Sequence, residues 1–155
     1  MADVLDKFHY GIYMMGTCHE DRINTMIASW VTQVSGDPEM VAVAVKASRA
    51  SAQLLDQGKA FTLALLGKDQ AGDMNAFKGE KTFGDGTVNG VPFKHAENGA
   101  PVPERCVGYV ELTLADRLEI GNHLLYIGQV TNEVLVDGGP GLPAADLDGH
   151  RYRGK

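Results

Sequence analysis

A chain of 155 residues is long enough for one domain with a real hydrophobic core. Its 44% hydrophobic and 22% charged content is ordinary for a globular protein, and its net charge of −6 argues against broad binding to nucleic acid or to an anionic membrane. A small anionic ligand is still allowed, because it needs only a local positive site. The two cysteines, Cys18 and Cys106, form no Cys-x-x-Cys pair, so no zinc finger or rubredoxin-type iron site can be built from them alone. The N-terminal Met-Ala-Asp-Val-Leu-Asp-Lys has no signal-peptide apolar core, and no run approaches the ~20 apolar residues of a membrane span. These features suggest a cytoplasmic protein with reduced cysteines.

In chain order, His9 to Thr17 reads as a strand, Cys18 to Asp21 as a polar turn, and Ile23 to Val34 as the returning strand of a hairpin. Gly36-Asp37-Pro38 is turn chemistry. Met40 to Val45 is almost continuously apolar, as a strand buried on both faces would be. Ser48 to Gln57 reads as a helix with Ser48 as cap, an apolar face at Ala52, Leu54 and Leu55, and Gly58 as its stop. Ala60 to Leu66 is a further strand, and Asp69 to Phe77 a second short helix. Lys78 to Pro103, rich in glycine and proline, reads mostly as a long loop of the kind that is often functional. Cys106 to Leu114 and Leu124 to Val136 are the last strands, joined by Gly121-Asn122-His123. A Gly- and Pro-rich tail from Asp137 ends in the basic arm His150-Arg-Tyr-Arg-Gly-Lys155. No repeat or linker divides the chain, so residues 1–155 are expected to form one domain. The order suits a mainly β fold, an antiparallel barrel with flanking helices, and not a regular βαβ repeat. No Gly-x-Gly-x-x-Gly follows a strand, so a Rossmann nucleotide site is not indicated.

Three segments suit a flat, phosphorylated aromatic ligand. Ala28-Ser29-Trp30 combines hydroxyl and backbone groups with an aromatic plane. A lone tryptophan in a hairpin is also ordinary core. Lys46 ends an apolar strand just before Ser48 and Ser51, so a point charge, two hydroxyls and a helix start could together hold a phosphate. The other reading is a solvated lysine beside a capped helix. In Phe77-Lys78-Gly79 the glycine would let backbone approach a ligand and Phe77 could pack on it, although a helix end entering a loop explains the same residues. His123 has the titration range to contact a redox ligand, yet it also reads as an exposed turn histidine. Cys18-His-Glu-Asp21 holds metal-ligand types, but neighbours in an extended chain point to alternate faces and converge poorly. No metal site is expected, and no nucleophile elbow such as Gly-x-Ser-x-Gly is present.

Taken together, Tyr10-Gly-Ile-Tyr13, Asn24 through Ser35, Lys46, Leu54, Phe61 with Leu65, Phe77-Lys78-Gly79, and Asn122-His123 with Ile127-Gly-Gln-Val130 resemble the flavin-reductase-like FMN-binding split-barrel family. The resemblance runs over residues 1–136. It is nearest to the subgroup found in flavoredoxins, in high-molecular-weight rubredoxins and at the C-terminus of some flavodiiron proteins, where a basic tail like residues 150–155 also occurs. The resemblance implies a Greek-key split β-barrel, usually a homodimer, with FMN as cofactor and NADH or NADPH as electron donor. It implies that Ala28, Ser29 and Trp30 line the isoalloxazine with Ser35 close by, and that Lys46, Ser48 and Ser51 hold the phosphate. Phe77, Lys78 and Gly79 would close the site, and His123 would lie near flavin or nicotinamide. The flavin carries the chemistry, so no side chain is expected as a catalytic acid or base. Departures are Asp37-Pro38-Glu39 where Pro-Pro is common, Ser51 for a frequent threonine, and Lys78-Gly79 for a frequent Ser-Gly. The activity implied is an NAD(P)H-dependent flavin reductase. The alternatives are an FMN electron carrier reduced by a protein such as rubredoxin, ferredoxin or a flavodiiron protein, and a non-redox barrel binding some other phosphorylated ligand or a protein.

Overall fold

The computed structural model of the protein describes residues 4–147. Strands β1 (Tyr13–His19), β2 (Arg22–Ala28), β3 (Val31–Gly36), β4 (Glu39–Lys46), β5 (Ala60–Leu65), β10 (Gly108–Ile120) and β11 (His123–Leu135) form one antiparallel sheet, in the order β2-β1-β5-β10-β11-β4-β3. Strands β2 and β3 are joined by only Ser29-Trp30, yet they lie at opposite edges of the sheet. The sheet therefore curls on itself until those edges face each other, giving a split barrel whose seam lies between β2 and β3. The predicted single strand over 23–34 is thus two strands, and the predicted hairpin turn shrinks to Glu20-Asp21, with Glu20 in the left-handed region at φ 56°. The predicted strand from His9 starts only at Tyr13.

β1 and β5 are apolar at successive positions because both of their faces are covered. Met15, Phe61 and Leu63 point into the barrel with Val43, Val45, Leu55, Leu112 and Tyr126. Met14 and Ala64 point outward onto a second cluster with Ile12, Leu66, Met74, Phe77, Cys106 and Leu142. Helix α1 (Ala50–Gly58) caps the first cluster through Ala52 and Leu55. Ser48 does not cap it: Arg49 occupies the N-cap position with no side-chain capping bond, and the helix ends with Lys59, not Gly58, in the left-handed conformation at φ 68°. A short helix α2 (Ala71–Met74) and a 3-10 turn over Asn75–Phe77 cover the second cluster, as predicted for 69–77.

The predicted long loop over 78–103 is instead a small second sheet of β6 (Phe83–Gly84), β7 (Thr87–Val88), β8 (Val91–His95) and β9 (Pro101–Pro103), in that order. Proline hid it. β9 is an edge strand, where the missing N–H costs no ladder bond. The sheet packs Val88, Val91 and Phe93 on the second cluster and is tied to the barrel by side-chain bonds: the Thr62 hydroxyl donates to the Pro101 carbonyl (2.7 Å), the Asn98 amide side chain to the Phe61 carbonyl (3.0 Å), and the Asn98 backbone N–H to the buried Glu111 carboxylate (2.6 Å). β10 and β11 run six and one residues beyond the predicted strand ends at Leu114 and Leu124, so the turn is Gly121-Asn122 alone and His123 belongs to β11. Residues 137–147 strap the second cluster, Leu142 exchanging backbone bonds with Ile12 and Leu66. The predicted basic arm at 150–155 lies outside the described residues. No helix among the described residues is long and apolar enough to cross a membrane.

Gly16 in β1 is where the two sheets press closest: a Cβ there would overlap the Pro101 carbonyl oxygen and the Thr62 hydroxyl. Gly16→Ala is expected to destabilise the fold by about 1–3 kcal/mol, read as a lowered urea midpoint; an unchanged midpoint would show that β9 does not sit against β1.

Candidate functional site

A cleft of about 770 Å³ opens beside the seam. One wall is β2, through Asn24, Met26 and Ile27, continuing to Ser29. The second is the start of α1, through Ser48, Arg49, Ala50 and Ser51. The third follows the second short helix, through Asn75 and the run Lys78-Gly-Glu-Lys81. The walls are fixed to one another. The Asn24 side-chain amide donates to Ser51 Oγ (3.0 Å), Thr25 Oγ1 donates to the Phe77 carbonyl (3.2 Å), and Asn89 Nδ2 donates to the Ala76 and Glu80 carbonyls (3.0 and 3.1 Å). Gly79, at φ 70°, turns the third wall so that Lys81 Nζ folds back onto the Gly79 carbonyl (2.8 Å). Burial, and then the neighbouring Arg49 charge, pull the Lys81 ammonium below the usual lysine range.

Beside the cleft, Trp30 packs on His123 with ring centroids 4.9 Å apart at 34°. His123 is buried at 6% exposure, not exposed in a turn, and it stands opposite Lys46 in the β11–β4 register. Its Nδ1 lies 2.6 Å from Asn122 Oδ1. Burial, then the charges of Lys46 and Arg49, hold the imidazole below the usual histidine value and so in its neutral form at pH 7. At the far end of α1, Tyr126 donates to Asp56 Oδ1 (2.9 Å), which also receives Arg117 Nε (2.9 Å). Burial foremost pushes the Tyr126 phenol up to about 12, so it remains a donor. This brace, with Arg22 Nη2 donating to Gln57 (2.8 Å), holds the helix whose start lines the cleft.

Of the residues singled out in the sequence, the cleft brings together Ser29, Ser48, Ser51, Lys78 and Gly79. Trp30 and His123 form the adjoining corner. Lys46 is not on the cleft wall; it lies half-buried at the end of β4 beside His123. The Ala28 and Phe77 side chains are packed in the two apolar clusters, so any contact they make with a ligand is through backbone. Ser35 pairs with Met40 near the opposite end of β3 from Ser29. The residues that sequence reasoning passed over are Asn24, Met26, Arg49, Glu80 and Lys81. Asn24 and Met26 were legible as alternate positions of one strand face, and Arg49 as the residue between two serines already chosen. Lys81 was hidden by the unread turn at Gly79.

A separate hollow of about 500 Å³ lies at the barrel mouth among Val31, Val41, Leu63, Leu65 and Val110. Its wall also carries Tyr13, Thr32, Gln33, Tyr109 and Glu133 but no cation, whereas the cleft offers hydroxyls, an amide, a helix N-terminus and cations within one concavity, with Met26 and Ile27 as apolar wall. That mixed donor set fits a phosphorylated aromatic ligand such as a flavin nucleotide. Among the described residues, no group of three or more His, Cys, Asp and Glu is placed to hold a metal ion.

Comparison with known proteins gives the family and the fold. Residues 5–155 match the family described as "Flavin reductase like domain". The chain belongs to the flavin reductase-like family. It is similar to the high molecular weight rubredoxin of Moorella thermoacetica (27% identical, covering 88% of this chain and 61% of that protein) and to diflavin flavoprotein A 1 of Synechocystis sp. (32% identical, 85% and 23%). It therefore spans less than two thirds of these relatives' length. Its fold is shared with the Streptomyces globisporus C-1027 NADH:FAD oxidoreductase SgcE6, solved in complex with NAD and FAD fragments (TM-score 0.80, 21% identical, covering 90% of this chain and 83% of that one). The chain is thus a flavin reductase-like domain with a mainly β, split-barrel fold.

The neutral His123 gives a pH signature. The unfolded chain takes up a proton at this position near pH 6.5 while the folded protein does so only at lower pH, so this group costs stability as pH falls below about 6.5 and has no effect above it. An NMR titration of His123 is expected to show a midpoint below 6.5, moving upward in Lys46→Gln. A midpoint at or above 6.5 would show that burial does not hold the ring neutral, and an unchanged midpoint in Lys46→Gln would show that the Lys46 charge does not act on it.

Proposed function

We propose that this domain is an FMN-dependent reductase that takes electrons from NADH or NADPH and passes them to a separate acceptor. The observation that carries the reading is the convergence of Ser29, Ser48, Arg49, Ser51 and Lys81 on one cleft in a flavin reductase-like fold. In this reading Ser48, Ser51 and the first turn of α1 hold the phosphate, with Lys46 adding positive potential from the end of β4. Ser29 and the backbone at Ala28 and Trp30 face the ring, Lys78 and Gly79 close over it, and neutral His123, fixed by Trp30, borders the space for the nicotinamide. When bound, the flavin supplies hydride and electron transfer at its N5. The chain's own residues bind and orient it and limit water access.

A second reading is favoured by the relatives: a rubredoxin and a diflavin flavoprotein are larger proteins within which this domain occupies part of the length. There the domain would act as an electron carrier served by a rubredoxin, ferredoxin or flavodiiron protein. We read the protein as cytoplasmic, consistent with its free cysteines Cys18 and Cys106. We also read it as a homodimer, consistent with the exposed Val34 on the edge strand β3 and the exposed Leu118, Ile120 and Leu135 on β10 and β11.

The test is optical. The purified protein, loaded with FMN and kept without oxygen, is expected to show flavin bands that NADH or NADPH bleaches. Bands that persist until a reduced redox protein is added would favour the carrier. Failure to take up any flavin would sink both.

A further inference from the structure

Helix α1 closes one end of the barrel, where β4 stops and β5 starts. The other end, among the starts of β1 and β10 and the last residues of β5 and β11, stays open as the hollow of about 500 Å³. That volume is within the range of small-molecule sites, and barrel mouths are one of their usual places. The wall is apolar at its most buried point, Leu63 at 3% exposure, and at Val31, Val41 and Val110. The rings of Tyr13 and Tyr109 and the carboxylate of Glu133 complete it, and among the described residues no lysine, arginine or histidine lies on it.

Aromatic rings and a carboxylate around an apolar hollow repel anions and attract an organic cation. The Glu133 carboxylate forms no ion pair among the described residues. Burial pushes the Tyr13 phenol above the usual tyrosine value, so this side chain stays neutral. Lys94, which is not on the wall, already lies 6.0 Å from the centroid of the Tyr109 ring, whereas no cation lies over Tyr13 among the described residues. The net charge of −6 adds a field that favours cations. A second copy of the chain reaching the rim at Leu135 is the competing occupant, and an isologous contact centred on the hollow would set the Glu133 carboxylates of two acidic chains against each other. We propose that the barrel mouth is a ligand site separate from the cleft, taking a small organic ammonium ion with an apolar body. The body packs on Leu63 and the valines, and the ammonium meets the Glu133 carboxylate and the Tyr13 ring. The proposal does not depend on the flavin reading of the cleft.

The experiment titrates three molecules of similar shape into the FMN-loaded full chain by calorimetry: 2-phenylethylamine, 2-phenylethanol and 3-phenylpropanoate. Thermal unfolding shows that each variant is folded. The exposed carboxylate and the ring face each contribute roughly 2- to 5-fold, so the amine is expected to bind about 5- to 25-fold tighter than the alcohol, with the propanoate weakest. Glu133→Gln, a change at an exposed position, should lose about 2- to 5-fold for the amine and leave the alcohol unchanged, and Glu133→Lys should reverse the order of amine and propanoate. Tyr13→Phe should keep the amine preference and Tyr13→Leu should reduce it. Equal binding of the three molecules, or of none, overturns the proposal. So does amine binding that both Glu133 variants leave unchanged, which would place it elsewhere, and amine binding that weakens as protein concentration rises, which would give the hollow to a second copy. Release of FMN by the amine would assign the binding to the cleft and overturn the separate site.

Discussion

Two residues, Ser29 and Trp30, separate strands that stand at opposite edges of a seven-stranded sheet. So short a connection can be satisfied only if the sheet curls fully round, and most of the site follows from that closure. The Trp30 carbonyl accepts the Ala44 N–H at 3.0 Å, so the crossing residue is tied to β4 as soon as it leaves β2. Ser29, the last residue before the crossing, is left on the cleft wall, and the Trp30 ring falls against His123 at the start of β11. A barrel closed by ladder bonds on every side would have no seam, and the cleft beside it would have no β2 wall.

Helix α1 then determines how rigid that cleft is. Its start carries Ser48, Arg49 and Ser51, and it has no side-chain cap to hold it. Its position comes instead from tertiary bonds at both ends: Asn24 to Ser51 at the cleft, and Tyr126, Arg117 and Arg22 to Asp56 and Gln57 at the far end. Each such bond is worth only about 0.5–1.5 kcal/mol net, so the buried Leu55 and Ala52 supply most of the helix's attachment. The bonds fix its rotation and register. That is the quantity a binding site needs, because donors already in place lower the ordering cost of ligand binding.

The sequence made the barrel strands readable wherever burial was two-sided. Tyr13 to Thr17, Met40 to Val45 and Ala60 to Leu65 are apolar on successive residues, and each is a strand. It misled where burial was one-sided or absent. Residues 115–120 of β10 are exposed along their whole length, so no apolar pattern marks them. The β6–β9 sheet has few apolar residues to mark it, and it is oriented by Asn89, Asn98 and Thr62 side chains, residues that read locally as loop formers. The site was half legible for a related reason. Its hydroxyls lie near a predictable helix start and Lys78 was legible beside Gly79, but the phosphate cation was placed by sequence proximity at the strand end, Lys46. Lys81 reaches the cleft only through the left-handed turn at Gly79 and the Asn89 bonds that hold the third wall, both products of the unrecognised sheet.

The charge distribution connects stability with binding. The chain is acidic overall, yet Arg49, Lys78 and Lys81 gather on one cleft with Glu80 as the only carboxylate on its wall among the described residues. Repulsion there is paid by the rest of the fold, through the brace on α1 and the side-chain bonds that anchor the second sheet. A ligand that neutralises the cleft therefore contributes twice: by its own contacts, and by removing a strain the empty protein carries. Since it binds the folded state and not the unfolded chain, both contributions appear as stability. The cations come from two walls that side-chain bonds hold in place, so an anion in the cleft would meet both without either wall having to move.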